Sequence, residues 1–362
     1  MAFDFKKVFS SVSKVQTPLV SKVVGIDFGS SSIKVVEVEK NEGILSLSTY
    51  GELQLGPYGA SPMGDAVKLP LQKRIEALVD VLRESGVTAK TGALALPLSD
   101  SFVTIIPLQA KKDEDISSRV HVEARKYIPV PLTDVALEWS ELAQEGKGDG
   151  LTRDILLVAI LNEALREMNA LGDSVSMSSR RSELEIFSTL RAVTKESDDV
   201  VAVVDVGARS SKLYVAEGGF LSRIHRVQTG GSYVTQALSK QKNISFEDAE
   251  NIKRSADPLS EDGLLIKKIM TSAFERSFQE FKRVLDQYQV RTGKKISRVA
   301  ATGGASLHPD FLPLLQYALN APVEHSNPFN KIAYPAFMED TLTSIAPIFT
   351  VALGAALQSF EQ

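Results

Sequence analysis

The sequence predicts an α/β protein built from two similar domains, with a further subdomain inserted in the first. Three observations carry that prediction. Short β-branched runs alternate with amphipathic stretches of helical period along the chain. Residues 23–39, VVGIDFGSSSIKVVEVE, return without gaps as residues 201–217, VAVVDVGARSSKLYVAE. A repeat of that size implies two domains facing each other, and 362 residues is long for a single core.

The first element is the opening strand and turn. Val23, Val24 and Ile26 lead into Asp27-Phe28-Gly29-Ser30-Ser31-Ser32, and Ile33, Val35, Val36 and Val38 resume a strand. The turn carries a carboxylate, a Gly and three hydroxyls, with no Asn-Gly or Asp-Gly pair. Gly lets backbone approach a ligand, successive N–H groups form an anion nest, and Ser adds donors. Asp27 would repel a bare phosphate but suits a hydrated Mg²⁺ bound to one. This chemistry points to a nucleotide-phosphate turn.

Residues 44–55 read as a third strand, followed by a Gly/Pro-rich loop over 56–62. Residues 71–85 read as a helix with Ile75, Leu78, Val79 and Leu82 on one face and Gly86 as its stop, and 93–98 as a buried strand. Residues 99–178 form the inserted subdomain. It holds a strand at 102–107, a helix at 113–126 opened by Asp113, Glu114 and Asp115, a break at Tyr127–Leu132, a strand at 135–142, a polar loop at 146–150, a strand at 155–160 and a helix at 163–171. A helix at 182–194 leads back to the main body, and 195–199 is a charged linker.

The second half restarts the pattern. Asp205 matches Asp27, Gly207 matches Gly29, Ser210 matches Ser32 and Lys212 matches Lys34, while Arg209 stands where Ser31 stands. Two turns with Asp and Gly can clamp one phosphate chain from opposite sides. A strand at 220–227, a small-residue turn at 229–232 and a helix at 233–241 follow. Ser245 caps a helix over Phe246–Ser255, and residues 264–291 carry a core-facing stripe of Phe274, Phe278, Phe281 and Leu285. The strand at 296–301 runs into Thr302-Gly303-Gly304-Ala305-Ser306 and a helix at 309–319, a junction that brings backbone N–H groups to a ligand. The apolar run 345–357 reads as a buried helix with Gly354 near its end. The first domain is thus 22–98 and 179–198 with 345–357, and the second is 199–344, with 240–292 as its outer part.

Composition narrows the function. A net charge of −4 makes no case for broad nucleic-acid binding. The absence of cysteine excludes disulfides and thiolate metal sites and fits a reducing cytoplasm. No apolar run approaches the roughly 20 residues of a membrane span, and the N-terminus lacks the apolar core and cleavage site of a signal peptide. Residues 1–21 form a separate tail in which Phe5, Val8, Phe9, Val12 and Val15 fall near helical spacing. That tail suits either an anionic membrane or partner, or packing on its own domain. His121, His225, His308 and His325 are scattered and read as structural or surface residues.

The turns at Asp27–Ser32, Asp205–Ser210 and Gly303–Ser306 together resemble the two phosphate loops and the adenosine loop of the actin-like ATPase superfamily. Within it, GIDFGSSSIKVVEVE, EARKYIPVPLTDVALEW, VVDVG and ATGGASLHPDFLPLLQYAL resemble most closely the PilM family of type IV pilus assembly. The likeness spans nearly all of residues 22–357. It implies an actin-like, ribonuclease H-like fold with Mg-ATP in the cleft between two domains. Gly29, Ser30, Ser31 and Lys34 would hold phosphates on one side, and Gly207 and Ser210 on the other, while Arg209, a departure from the family's plain hydroxyl turn, would either reach a phosphate or point to solvent. Asp27 and Asp205 would meet Mg²⁺ through water, and Gly303, Gly304 and Ala305 would border the adenosine. Glu250 and Lys253, in an Ala-Glu-x-x-Lys helix, match residues that meet adenosine in similar proteins, or else form a solvated i,i+3 pair. Glu185 is the candidate to orient water for hydrolysis, which the resemblance implies is slow or absent.

The same resemblance implies a groove between the insert and the first domain that takes the cytoplasmic N-terminal peptide of a PilN-like inner-membrane protein. Lys111, Lys112 and Tyr127–Leu132 are the candidates beside it. It implies a cytoplasmic protein held at the inner face of the membrane through partners, with other pilus proteins or self-association as further contacts, and a related type II secretion role as a variant. Two alternatives remain. An FtsA-like filament protein would carry a C-terminal linker and amphipathic helix, whereas this chain ends soon after Ala356. A small-molecule kinase would need a carboxylate base beside the acceptor hydroxyl, and no distinctive motif supplies one.

Overall fold

A computed structural model describes residues 21–361, apart from 112–113, 143–151, 176, 178 and 196–198. The expected tail helix, Lys112 and the loop at 146–150 lie outside the described residues. Two five-stranded sheets share one strand order and one pattern of strand directions. The first runs β3(Ile44–Gln54)-β2(Ser32–Asn41)-β1(Lys22–Phe28)-β4(Thr91–Leu96)-β8(Ser179–Leu184). The second runs β11(Phe220–Val227)-β10(Ser211–Glu217)-β9(Val200–Val206)-β12(Arg298–Thr302)-β13(Val323–His325). In each sheet the first three strands pair antiparallel and the last three parallel. The repeat in the sequence is therefore a repeat of whole sheets. The register sets Asp27 opposite Lys34 and Asp205 opposite Lys212.

Helices cover the sheets. On the first sheet, α1(Leu71–Glu84) packs through Ala77, Leu78 and Val81, while Val79, expected on that face, is exposed. On the second, α7(Glu261–Thr292) buries Phe274, Phe278, Phe281, Leu285 and Tyr288, the stripe its period predicts. The terminal helix α10(Thr350–Gln358) is buried almost throughout and lies on the other face of the first sheet, against Val23, Val36 and Ala93. Small residues permit the contact. A Cβ on Gly25 of β1 would stand 1.9 Å from the Ala352 carbonyl oxygen of that helix. The stretch Ala336–Gln358 is long and apolar enough to pass as a membrane span by composition, yet 67% of its most apolar window is buried inside the protein.

The insert is an antiparallel sheet, β5(Ser101–Gln109)-β7(Thr152–Leu161)-β6(Val135–Glu141). One face packs on α2(Ser117–Ala124) through Ile106, Val120 and Leu157. The other, carrying Leu156, Val158 and Ile160, joins a core shared with Tyr214 and Leu221 of the second sheet. The helix α3(Asn162–Ser174) leaves the insert and packs against α1.

Three expectations need correction. The helix predicted over 182–194 is strand β8 followed by α4(Glu185–Val193). Its sequence SRRSEL lacks apolar alternation because it is an edge strand whose buried Glu183 is paired with Arg191 and accepts a hydrogen bond from the Ser188 hydroxyl, both on the next helix. The helix predicted over 113–126 starts only at Ser117, because Asp115 takes the Ser117 N–H at 3.0 Å and Glu114 takes that of Lys111 at 3.1 Å. Residues 328–344, grouped from sequence with the second domain, pack on the first sheet through Phe329, Ile332 and Leu342, with Ala333 bridging to Ser46.

Candidate functional site

The Asp–Gly turns close antiparallel hairpins, so each turn lies at the end of its sheet's central strand. The parallel strand β12 ends beside the second of them, with Thr302 opposite Asp205. All three turns therefore face one cavity of about 430 Å³, lined by Asp27, Gly29, Ser30, Ser31, Lys34, Asp205, Gly207, Arg209, Ser210, Gly303 and Gly304. Gly303, at φ +85°, is what lets the third turn close on the second: a Cβ there would stand 2.5 Å from the Val206 carbonyl oxygen and 2.7 Å from Asp205 Oδ1. The second turn is braced from behind, since the N–H groups of Gly231 and Ser232 donate to the carbonyls of Gly207 and Ala208, each at 2.9 Å.

Five charged side chains converge at the floor. Lys34 Nζ lies 3.8 Å from Asp27 Oδ2. Lys212 Nζ donates to Asp205 Oδ2 at 3.0 Å and to Glu185 Oε2 at 2.8 Å. The other Glu185 oxygen accepts the Leu98 N–H at 2.6 Å, so both its oxygens are engaged. Burial pushes the Asp27 carboxyl up to about 6; Lys34 pulls it down, and Glu185 and Asp205 push it up. Burial pulls Lys212 down, but Asp205 and Glu185 outweigh it and hold the ammonium well above its ordinary value. Lys212 was not among the sequence-derived candidates. Its signal was present in the repeat, where it occupies the place of Lys34.

The residues present fit a nucleotide polyphosphate with a hydrated cation. Gly29 leaves space that a Cβ would fill, 2.9 Å from the Ser32 carbonyl oxygen and 3.0 Å from Lys34 Nζ. Among the described residues no three carboxylate or histidine groups converge as direct metal ligands. Two aspartates already facing ammonium groups suit water-mediated contact to a cation carried on phosphate.

The structure does not bring every candidate to the cavity wall. Ala305 sits against Gly231, with Cβ 3.3 Å from where a Gly231 Cβ would be. Glu250 is buried; its carboxylate accepts from Thr235 and from Arg254 at 2.7 Å and pairs with Lys253. Lys253 also donates to Thr235 at 2.7 Å, and burial lowers its ammonium despite Glu250. The pair is thus internal, not solvated. At the far end of the cavity, Arg74 pairs with Glu167 at 2.7 Å and lies 5.3 Å over the Phe28 ring. No motif announced those residues. A second cavity, about 880 Å³, opens elsewhere between the end of α4, the β10–β11 hairpin and residues 324–331, and has neither Asp–Gly turn.

A family model described as type IV pilus assembly protein PilM matches residues 25–360. The PilM–PilN type IV pilus biogenesis complex contains a chain that superposes with a TM-score of 0.78 at 23% identity, over 95% of this chain and 100% of that one. MreB 5 of Spiroplasma citri bound to AMPPNP superposes with a TM-score of 0.52 at 10% identity, over 93% and 95% of the two chains. Cell division protein FtsA of Enterococcus faecalis (strain ATCC 700802 / V583) is 21% identical over 355 residues, 83% of this chain and 77% of its own length. The fold is actin-like.

Proposed function

The chain belongs to the type IV pilus assembly protein PilM family, and on that premise we propose that it binds Mg-ATP between its two domains and docks the cytoplasmic peptide of a PilN-like membrane protein. The observation that carries the nucleotide half is the duplicated Asp–Lys hairpin facing one cavity from two sheets. The turn N–H groups, the Ser30 and Ser31 hydroxyls and Lys34 grip phosphate from one side; Gly207, Arg209 and Ser210 grip it from the other. Asp27 and Asp205 hold the water shell of the cation. Mg²⁺ supplies charge that offsets the phosphates. Gly303 and Gly304 leave room for the sugar end. Glu185, fixed by Leu98 and Lys212, is oriented toward structural use, which accords with slow or absent hydrolysis.

The partner half is supported by the likeness to the chain of the PilM–PilN complex. Lys111 and the exposed Tyr127 lie on the insert, the part of the chain proposed to take the peptide. A protein of this kind works in the cytoplasm, held to the membrane's inner face by its partner. Two assays test the reading. A fluorescent ATP analogue should bind the wild type with Mg²⁺ and fail to bind Asp27→Ala. A synthetic cytoplasmic peptide of the PilN-like protein should be retained in a pull-down. Fast phosphorylation of a metabolite without peptide binding would overturn it. The likeness to FtsA favours a second reading, a filament former, and ATP-dependent pelleting of the chain would establish it.

A further inference from the structure

The segment 55–69 joins β3 to α1 and is tied at both ends to the first phosphate turn. The Leu55 N–H donates to the Ser31 carbonyl at 2.8 Å, and the Val67 N–H to the Ser30 carbonyl at 2.9 Å. Between those ties the segment is compact, with the Ser61 N–H on the Gly56 carbonyl at 2.9 Å. Its middle crosses to the second sheet's side. Arg209 Nη2 donates to the Ala66 carbonyl at 3.2 Å, and Ser232 Oγ to the Gly64 carbonyl at 3.1 Å. Gly64, at φ +82°, lies so close to Glu250 that a Cβ would stand 2.8 Å from its carboxyl carbon.

Two consequences follow from this placement. Gly64 packs on the Glu250 carboxylate, and the cavity lining reaches Gly304 but not Ala305, Glu250 or Lys253. The tethers are also unequal. Those to the first domain are the two backbone bonds at the segment's ends, together with the Gly64 N–H on Gln54 Oε1 at 3.1 Å and the Tyr58 hydroxyl on Asp80 Oδ2 at 2.6 Å. Those to the second are two side-chain bonds, one from the exposed Arg209. A segment held this way opens by releasing the second domain while staying on the first.

We propose that residues 55–69 are a latch over the nucleotide cleft, hinged on the carbonyls of Ser30 and Ser31 and fastened to the second domain through Arg209, Ser232 and the Gly64–Glu250 contact, so that nucleotide enters and leaves when the fastening opens. The proposal rests on the nucleotide reading of the cavity. Because the hinge carbonyls belong to the phosphate turn itself, phosphate binding and latch closure act on the same two residues, Ser30 and Ser31.

The test is stopped-flow release of N-methylanthraniloyl-ATP with Mg²⁺, using the full chain. Ser232→Ala removes one fastening bond and should speed release by about 2- to 10-fold. Gly64→Ala strains the backbone and drives a methyl group onto Glu250, and should speed it at least as much. Thermal melting of both variants confirms that they fold. In parallel, hydrogen exchange of residues 63–67 in the wild type should slow when the nucleotide is added, a readout that does not depend on any variant. Release at the wild-type rate from folded Ser232→Ala, with exchange at 63–67 unchanged by nucleotide, overturns the latch and leaves nucleotide binding standing. A wild type that does not bind the probe overturns both.

Discussion

Replacing Asp27 by Asn should make the nucleotide-free protein more stable at neutral pH, although the residue lies at the heart of the proposed site. Asp27 is 8% exposed, and burial moves its carboxyl from 3.8 to about 6. Below the lower value the acid is protonated folded and unfolded alike, and full stability is present. As pH rises through the folded value, the buried group must ionise at a cost the unfolded chain does not bear, and stability falls. Two units of displacement correspond to about 3 kcal/mol. Asn imitates the protonated acid and has no proton to lose. In urea titrations without nucleotide, the variant should gain on the wild type by about 2 kcal/mol between about pH 4 and about pH 7.5, with most of the change below about pH 6. Stability curves that stay parallel over that range would refute the argument. The same variant should lose binding of the ATP analogue, so that stability and function move in opposite directions.

Three further outcomes follow from buried pairs and a cap. Lys212→Met strands Glu185 and Asp205 without their cation, and should lower stability by about 3–5 kcal/mol at neutral pH by chemical denaturation; an unchanged midpoint would count against the five-charge cluster. Glu183→Ala leaves the largely buried Arg191 without its bidentate partner and should cost a similar amount, about 3–5 kcal/mol, read by thermal melting. Ser245→Ala deletes the acceptor for the Asp248 N–H at the start of α6(Phe246–Ser255), with an expected loss of about 1 kcal/mol.

Much of the site was legible because its turns recur. The match of residues 23–39 with 201–217 gave both turns proposed to hold phosphate, while the pairing of Asp27 with Lys34 and of Asp205 with Lys212 came only with the strand register of the fold. The role of Lys212 was not legible, since its bond to Glu185 joins residues 27 apart on different elements. Glu250 and Lys253 were readable as a helical i,i+3 pair, but the packing of Gly64 on Glu250 depends on a loop nearly two hundred residues earlier. Strand β8 was hidden because its charged residues find partners on three different helices, Arg180 on Asp173, Arg181 on the Gln358 carbonyl and Glu183 on Arg191. The short strand β13 and the helix α9(Glu339–Ile345) carry too few periodic residues to stand out.

The sequence by itself determined the duplicated α/β plan, the two recurring turns with Asp and Gly, and the family. These rest on local period, turn chemistry and repetition, which neighbouring residues encode. The tertiary structure decided which charges neutralise one another, which face of the first sheet the terminal helix covers, and that the segment 55–69 ties the two sheets together across the cleft. Those outcomes depend on distances between residues remote in the chain, where burial changes the strength of a charge and one missing Cβ decides whether two backbones can meet.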